Sequence, residues 1–317
     1  MKMRRVIRQL YLMSLSIFGV FDIYRKRNRQ KVLVMVYHDV VSDEYEIPGH
    51  YNYNTTVNKS TFKKQISYLY RHYNFITLSQ FHYWMRSGCK LPSNPVLLTF
   101  DDGHENLFKN AVPIMDEYGI KGVFFVKSEG WGQCEQNYCE KFLSHFESKE
   151  EGCKAYHLFR TKNLHGQQQL NEDFEQEQMY DNLNPEKYNH MSAGELIDLI
   201  NNGHEIQSHS RNHYIMSSLS DFDSNEEMVH SKLTLESKLQ NEVYAYAYPF
   251  GDPKFDFGER ECSNLQKSGY IYGFQGEWVG TYISRDVDKY NIPRMGDVNT
   301  DFLYFKYLIS SFRLKWK

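Results

Sequence analysis

Short apolar segments alternate with amphipathic segments along most of this 317-residue chain, and this alternation constrains the fold more than any other feature. The apolar runs have the length and composition of strands, whereas the segments between them space apolar residues three and four apart, as helices do. A strand–helix–strand repeat builds a parallel sheet covered by helices, most economically a barrel. The predicted strands are 31–41, 75–78, 96–100, 122–126, 205–209, 243–248 and 270–274, and the predicted helices are 60–72, one ending near Gly88, 105–118, 193–201, 224–240 and 258–268.

Residues 131–190 interrupt the alternation. They are rich in Gln and Glu and carry eleven acidic and six basic side chains. We interpret them as an insertion in the barrel that is partly helical, suits a lid and carries no recognisable chemistry. The five cysteines have no regular spacing and predict no disulfide framework. The net charge of −3 gives no reason to expect a nucleic-acid partner.

The N-terminal segment, residues 1–30, is basic and partly apolar. Nine basic side chains and one acidic one, Asp22, lie within residues 1–31, and an apolar stretch, 10–24, separates two basic clusters. The stretch is shorter than the ~20 apolar residues that span a bilayer, and no small-x-small cleavage site of a signal peptide follows it. We therefore expect an amphipathic helix on an anionic membrane surface and a peripheral membrane location; the alternative is a helix docked on the protein's own core. Residues 302–317 are predicted to form an aromatic, basic closing helix.

Two pairs of polar residues follow predicted strands. Asp101 and Asp102 come directly after strand 96–100, and two adjacent carboxylates repel each other unless a cation or a buried arginine lies beside them. Taken alone, Asp-Asp-Gly is also ordinary turn chemistry. His209 and His213 follow another strand, and a helical turn there would direct both imidazoles the same way. Two histidines and a carboxylate are typical of catalytic zinc, and active sites of α/β barrels lie at the carboxyl ends of their strands.

Three motifs in order give the chain a resemblance to a known family. "TFDDG", "GHEIQSHSRNH" and "YAYPFGDP" resemble the first three signature motifs of the polysaccharide deacetylases of the NodB-homology type, carbohydrate esterase family 4. "VMVYHDVV" and "YNIPRMGDV" are similar to segments of the subgroup that acts on exopolysaccharide and capsule-type glycans. The resemblance extends over residues 31–301, which we take as the domain. It implies an α/β fold, an irregular (β/α) barrel of the NodB-homology type, here with the inserted polar segment and the N-terminal amphipathic helix.

The resemblance also implies a divalent metal, most often Zn²⁺, and its ligands. Matched position by position, Asp102, His209 and His213 would bind the metal. Asp101 would be the base that takes a proton from the metal-bound water, which a metal makes acidic enough to lose a proton near neutral pH.

The third motif implies further site residues. The backbone N–H of Phe250 would stabilise the oxyanion, and Tyr248, Pro249 and Gly251 would contact the substrate.

Two departures from the family pattern change the expected acid and the expected partner of the base. The family takes its general acid from a late Leu-x-His, but no histidine follows His230 here. The subgroup with the early Tyr-His motif takes it from the first strand instead, which makes His38 the candidate acid. The third motif also lacks its usual arginine, and Arg294 is the candidate replacement that orients Asp101.

These assignments imply a metal-dependent hydrolase that removes N-acetyl groups from N-acetylhexosamine units of a cell-surface or exopolysaccharide. A carbohydrate O-acetyl esterase would use the same machinery and remains an alternative. A non-catalytic glycan-binding relative is a second alternative, although the intact Asp pair argues against it. A membrane-anchored scaffold in polysaccharide assembly is supported only by the basic termini.

Overall fold

The computed structural model describes residues 2–45, 55–143, 145–146, 148–175, 188–276, 282–296 and 298–310. The strands are β1 (Leu33–Tyr37), β2 (Asp39–Val41), β3 (Thr56–Asn58), β4 (Asn74–Ile76), β5 (Pro95–Phe100), β6 (Val123–Val126), β7 (Glu205–Ser208), β8 (Ala245–Ala247) and β9 (Tyr272–Phe274). The helices are α1 (Lys2–Ile17), α2 (Val20–Arg27), α3 (Lys59–His72), α4 (Leu78–Ser87), α5 (Val112–Glu117), α6 (Tyr138–Leu143), α7 (Lys149–Arg160), α8 (Leu164–Glu175), α9 (Ala193–Asn201), α10 (Asp221–Leu239), α11 (Glu259–Lys267) and α12 (Phe302–Ile309).

Seven strands form one parallel sheet that curls into a barrel. Its order is β1-β5-β6-β7-β8-β9, and β4 pairs with the first half of β5. The extended segment 292–295 lies between the two edges, where Ile292 bridges Phe274 of β9 and Met295 bridges Met35 of β1, both in parallel. Because the strands are parallel, their carboxyl ends meet at one rim. The irregular (β/α) barrel expected from the sequence is confirmed.

The predicted strand 31–41 is two strands in the structure. The backbone breaks at His38, whose N–H donates to Thr55 O at 3.0 Å, and β2 then leaves the barrel to pair with β3. The predicted helix 105–118 is also divided, into a π-helical turn at Leu107–Ala111 followed by α5. Pro113 lies near the junction, and because proline has no N–H it cannot make the i→i−4 bond of an α-helix.

The insertion is helical over much of its described part. Helices α6 and α7 contribute five of the six buried residues of a small apolar cluster separate from the barrel core. The insertion therefore packs around its own apolar centre. The cluster's buried members are Cys139, Phe142, Ala155, Tyr156, Phe159 and Ile215, and Phe250 packs against it.

The N-terminal helices α1 and α2 lie against the closing helix α12. Leu12 and Phe21 are buried, and the Phe21 ring meets Tyr307 edge-on at 6.2 Å. The other side of α1 and the turn after it expose Leu10, Ile17 and Phe18 by 62%, 71% and 79%. In the part of the chain that the structure describes, no helix combines the length and the apolar character needed to cross a membrane. Of the predicted helix 302–317, residues 311–317 lie outside the described residues.

Candidate active site

The residues singled out from the sequence follow the carboxyl ends of β1, β5, β7 and β8 or, for Arg294, lie in the closing segment 292–295. Asp101 follows β5, and its N–H donates to Tyr37 O at the end of β1 at 3.0 Å. His209 follows β7, and its N–H donates to Val126 O at the end of β6 at 2.9 Å. The last backbone hydrogen bonds between these strands thus fix the backbone positions of Asp101 and His209.

Asp102, His209 and His213 form a compact triad at this rim. The Nε2 atoms of His209 and His213 lie 3.2 Å and 3.1 Å from Asp102 Oδ1. One ligand atom from each residue lies within 4.8 Å of the others. Zinc–ligand bonds of 2.0–2.1 Å in tetrahedral geometry separate two ligand atoms by about 3.3 Å, close to these distances. The Nδ1 of His209 lies 2.8 Å from Ala247 O, which suits an N–H donor there and leaves Nε2 free to bind a metal.

The donor atoms of the triad fit a divalent cation. Asp102 Oδ1 and His209 Nε2 are buried and face each other, and neither has a hydrogen-bond partner among the described residues. Burial would raise the pKa of Asp102, but the imidazoles of His104, His209 and His213 hold that pKa well below its usual range. A buried ionised carboxylate and two imidazoles are a donor set that Zn²⁺ accepts.

The segment between the two histidines is not the helical turn expected from their spacing, and that prediction is wrong. Ser210 and His213 have φ of +65° and +61°, in the left-handed region that an α-helix does not use. Instead, Glu227 of α10 accepts the backbone N–H groups of Arg211 and Asn212 at 3.1 Å and 2.9 Å. The two imidazoles converge because a distant carboxylate holds an irregular loop.

Four non-glycine residues at this rim have a positive φ. Asp102 has a φ of +69° and Phe250 a φ of +60°, in addition to the two positions in the histidine loop. A non-glycine residue in this region costs of order 1 kcal/mol or more, and such residues persist where surrounding structure holds them. The surrounding structure therefore holds these strained residues in place around the triad.

Asp101 is held by Arg294 from the closing segment 292–295. Arg294 Nη1 donates to Oδ1 at 2.7 Å and Nη2 to Oδ2 at 2.5 Å, while Nη1 also reaches Thr99 Oγ1 at 3.2 Å. Both side chains of the pair are almost fully buried. Burial would raise the pKa of Asp101, but the Arg294 guanidinium and His209 lower it below its usual value. The contact expected between Arg294 and Asp101 is present, and its part in catalysis remains a prediction.

His38 lies on the other side of Asp101. Its Nε2 is 3.9 Å from Asp101 Oδ2, and its side chain keeps 26% of its surface exposed. Its Nδ1 is buried and has no hydrogen-bond partner in the part of the chain that the structure describes. Burial lowers the pKa of His38, so the imidazole is a stronger acid once protonated. The structure brings His38 to the rim, and its role as the acid remains a prediction.

Phe250 and Gly251 form a tight turn beside the triad. The Phe250 ring lies 4.8 Å from the His213 ring. Gly251 has a φ of +69°, and a Cβ there would lie 2.1 Å from Gly276 N, so only glycine allows these two backbones to approach. A side chain at position 251 would therefore disturb the turn that lies beside the triad.

Tyr248 does not offer its side chain to a substrate, contrary to the expectation from the motif. It is fully buried, its hydroxyl donates to Tyr290 O at 3.1 Å, and its ring stacks on Phe257 at 3.8 Å. The residue supports the turn at Pro249 and Phe250 from below. Tyr248 directly follows β8, and its side chain belongs to the main apolar core, where a substrate cannot reach it.

Two histidines at the site were not singled out from the sequence. His104 is buried, with its Nε2 3.7 Å from Asp102 Oδ2, and it stacks on His190 with centroids 5.1 Å apart. His104 lies two residues after Asp102 in the same turn, and this spacing was the available signal. His190 comes from the far end of the insertion, where no motif marks it. A cleft of about 180 Å³ opens beside Asp102, and its other lining residues include Lys127, Trp131 and His190.

The sequence profile of the polysaccharide deacetylases matches residues 89–270, more than half of the chain, and includes both the Asp pair and the His pair. The chain belongs to the polysaccharide deacetylase family. Five of the site residues predicted from the sequence that are described above lie within the matched range. These are Asp101, Asp102, His209, His213 and Phe250.

Individual relatives agree with this family. A poly-beta-1,6-N-acetyl-D-glucosamine N-deacetylase of Staphylococcus epidermidis is 26% identical over 243 residues, 76% of this chain and 68% of that protein. The enzyme of the same name from Staphylococcus aureus (strain MSSA476) is 38% identical over 74 residues, which cover 23% of this chain and only 25% of that relative. The structure of IcaB from Ammonifex degensii aligns with a TM-score of 0.61 at 16% identity, over 89% of this chain and 96% of that one. That structural likeness shows a shared fold.

Proposed function

We propose that this protein is a divalent-metal-dependent hydrolase that removes N-acetyl groups from N-acetylhexosamine units of a cell-surface or exopolysaccharide. The observation that carries the proposal is the triad of Asp102 and the buried His209 and His213 beside a second carboxylate, Asp101, held by an arginine. The names of the staphylococcal relatives support an N-acetylglucosamine polymer as the substrate class.

Asp102, His209 and His213 would hold the metal, for which Zn²⁺ is the best match to the donors. When bound, the metal supplies Lewis-acid activation of water and of the acetyl carbonyl. His209 keeps its orientation through Ala247 O, and the carboxylate of Asp102 offers Oδ1 to the metal side.

Asp101 would accept the proton of the attacking water. Its low pKa keeps it ionised, and the two hydrogen bonds from Arg294 fix the plane of the carboxylate. His38 would donate a proton to the leaving nitrogen, so that the products are acetate and an amine on the sugar. The N–H of Phe250 would donate to the oxyanion that forms on the acetyl carbon.

An acetate-release assay tests the proposal. The zinc-loaded protein is incubated with a β-1,6-linked N-acetylglucosamine oligomer and, separately, with an O-acetylated sugar. Acetate and a new amine from the first substrate, both lost in Asp101→Asn with its zinc retained, support the proposal. Acetate from the O-acetylated sugar alone indicates the esterase, and binding without acetate indicates the non-catalytic relative; either contradicts it.

We also propose that α1 and α2 hold the protein at an anionic membrane surface. The exposed apolar side chains of Leu10, Ile17 and Phe18 share the N-terminal segment with exposed basic residues, among them Lys26 and Arg27. Apolar side chains that insert at the headgroups and cations that attract anionic lipids are the two parts of a peripheral anchor.

A further inference from the structure

The inserted helices contact a loop of the active site, residues 249–257, which follows β8 and carries Phe250. The Phe250 ring touches two different parts of the protein, the His213 ring at 4.8 Å and the Tyr156 ring of α7 at 5.9 Å. Phe250 also has the strained φ of +60°. Something outside the loop must hold it in this conformation.

Arg160, at the end of α7, binds two aspartates of the same loop, Asp252 and Asp256. Its Nη2 and Nε lie 2.6 Å and 3.1 Å from Asp256 Oδ1, and its Nη2 lies 3.5 Å from Asp252 Oδ2. The side chain of Arg160 is 4% exposed and that of Asp256 is 0% exposed. The guanidinium lies over the rings of Tyr156 and Phe255, at 4.7 Å and 4.4 Å. An arginine and an aspartate far apart in sequence thus form a buried ion pair between the insertion and the catalytic loop.

Asp256 connects this ion pair to the backbone on both sides of the site. Its Oδ2 accepts the N–H of Asp252 at 2.9 Å, within the loop. Its own carbonyl accepts the N–H of Ser217 at 2.8 Å, four residues after His213. Removing the cation would leave a buried carboxylate without its partner, which must then either take up a proton or reach water through an opened loop; both change the contacts that hold the loop.

We propose that Arg160 is a positioning residue that holds the 249–257 loop, and with it the Phe250 N–H, in the geometry needed for catalysis. This inference rests on the proposed function, because it assigns the loop a part in acetate release. The insertion is then a brace for the active site, and Arg160 acts through Asp256 without touching the substrate.

Arg160→Met in the full-length, zinc-loaded protein tests the inference, with Lys154→Met as the matched control. Lys154 lies on the same helix and pairs with Glu150, but both side chains are largely exposed. We expect Arg160→Met to lower kcat for the β-1,6-linked N-acetylglucosamine oligomer at least ~10-fold, because small displacements of positioning groups cost that much or more, with KM changed less than twofold. Amide hydrogen exchange in 250–257 and at Ser217 should accelerate in Arg160→Met and stay unchanged in Lys154→Met.

The double variant Arg160→Met, Asp256→Asn separates positioning from mere stability. It removes both charges, so the thermal midpoint should return toward that of the wild type while kcat stays low. Recovery of kcat together with the midpoint, or unchanged exchange of the loop in Arg160→Met, would overturn the inference. Failure of the wild-type protein to release acetate would refute the proposed function instead, and the exchange measurement would still decide whether Arg160 holds the loop.

Discussion

At the scale of single residues, the ionised state of Asp101 depends on Arg294. Its guanidinium is the buried cation that the doubled carboxylate requires, and it arrives from a segment 193 residues further along the chain. Arg294→Met would leave the buried carboxylate of Asp101 without its cation. We therefore expect the free energy of unfolding to fall by about 3–5 kcal/mol. Urea denaturation measures this, with Arg285→Met, an exposed arginine near the same segment, as the control. Equal losses in the two variants would contradict the account.

A second prediction at this scale concerns His38. His38→Gln should leave the zinc content unchanged, since His38 is not in the triad, and should lower kcat for acetate release by ~10²-fold or more, because a general acid is lost. Steady-state kinetics and metal analysis on the same sample measure both. His230→Gln is the control, since His230 is exposed and pairs only with Glu226 among the described contacts. A kcat and a pH profile equal to those of the wild type would remove His38 from the mechanism.

At the scale of elements, α1 is exposed to solvent along an apolar stripe. Replacing Leu10, Ile17 and Phe18 with Gln should abolish co-sedimentation with vesicles that contain anionic lipid, because the apolar part of the anchor is lost. The control replaces three exposed apolar residues elsewhere, Leu158, Phe222 and Leu233, with Gln. Vesicle binding that survives the α1 changes, or that is lost equally in the control, would contradict the membrane proposal.

The elements of the barrel could be predicted from the sequence because each strand is a short apolar run and each helix has its own apolar stripe. The loops that do the chemistry could not. His209 and His213 converge through left-handed residues at Ser210 and His213 and through the carboxylate of Glu227, a tertiary contact that local spacing does not encode. Tyr248 was predicted to contact the substrate because it lies in a family motif, but its side chain is buried in the core.

At the scale of the whole molecule, buried neutral histidines make the fold sensitive to acid. His204 lies between α9 and β7, and its Nδ1 accepts the N–H of Gly122 at 3.1 Å. Burial, with a smaller effect of Lys121, lowers the pKa of His204 to about 4. In the unfolded chain, His204 has its ordinary pKa of about 6.5 and binds a proton below that pH. In the folded chain its imidazole stays neutral down to a pH of about 4. The free energy of unfolding therefore falls as the pH drops from about 6.5 to about 4.

The expected slope from His204 is up to about 1.4 kcal/mol per pH unit within that window. His204→Asn keeps an acceptor for Gly122 but cannot titrate, so its stability should depend less on pH between about 6.5 and 4. Urea unfolding of both proteins at several values of pH measures the difference, in which the titration of all other groups cancels. Identical slopes would mean that His204 is not a neutral acceptor in the folded protein.

The proposed release of acetate depends on a divalent ion bound by Asp102, His209 and His213. The most direct test is acetate release from the β-1,6-linked N-acetylglucosamine oligomer before chelation, after chelation and after Zn²⁺ is restored, with the metal content determined at each stage. We expect about one ion per chain, loss of acetate release when that ion is removed and its return with the ion. Undiminished acetate release from protein stripped of metal would contradict the account.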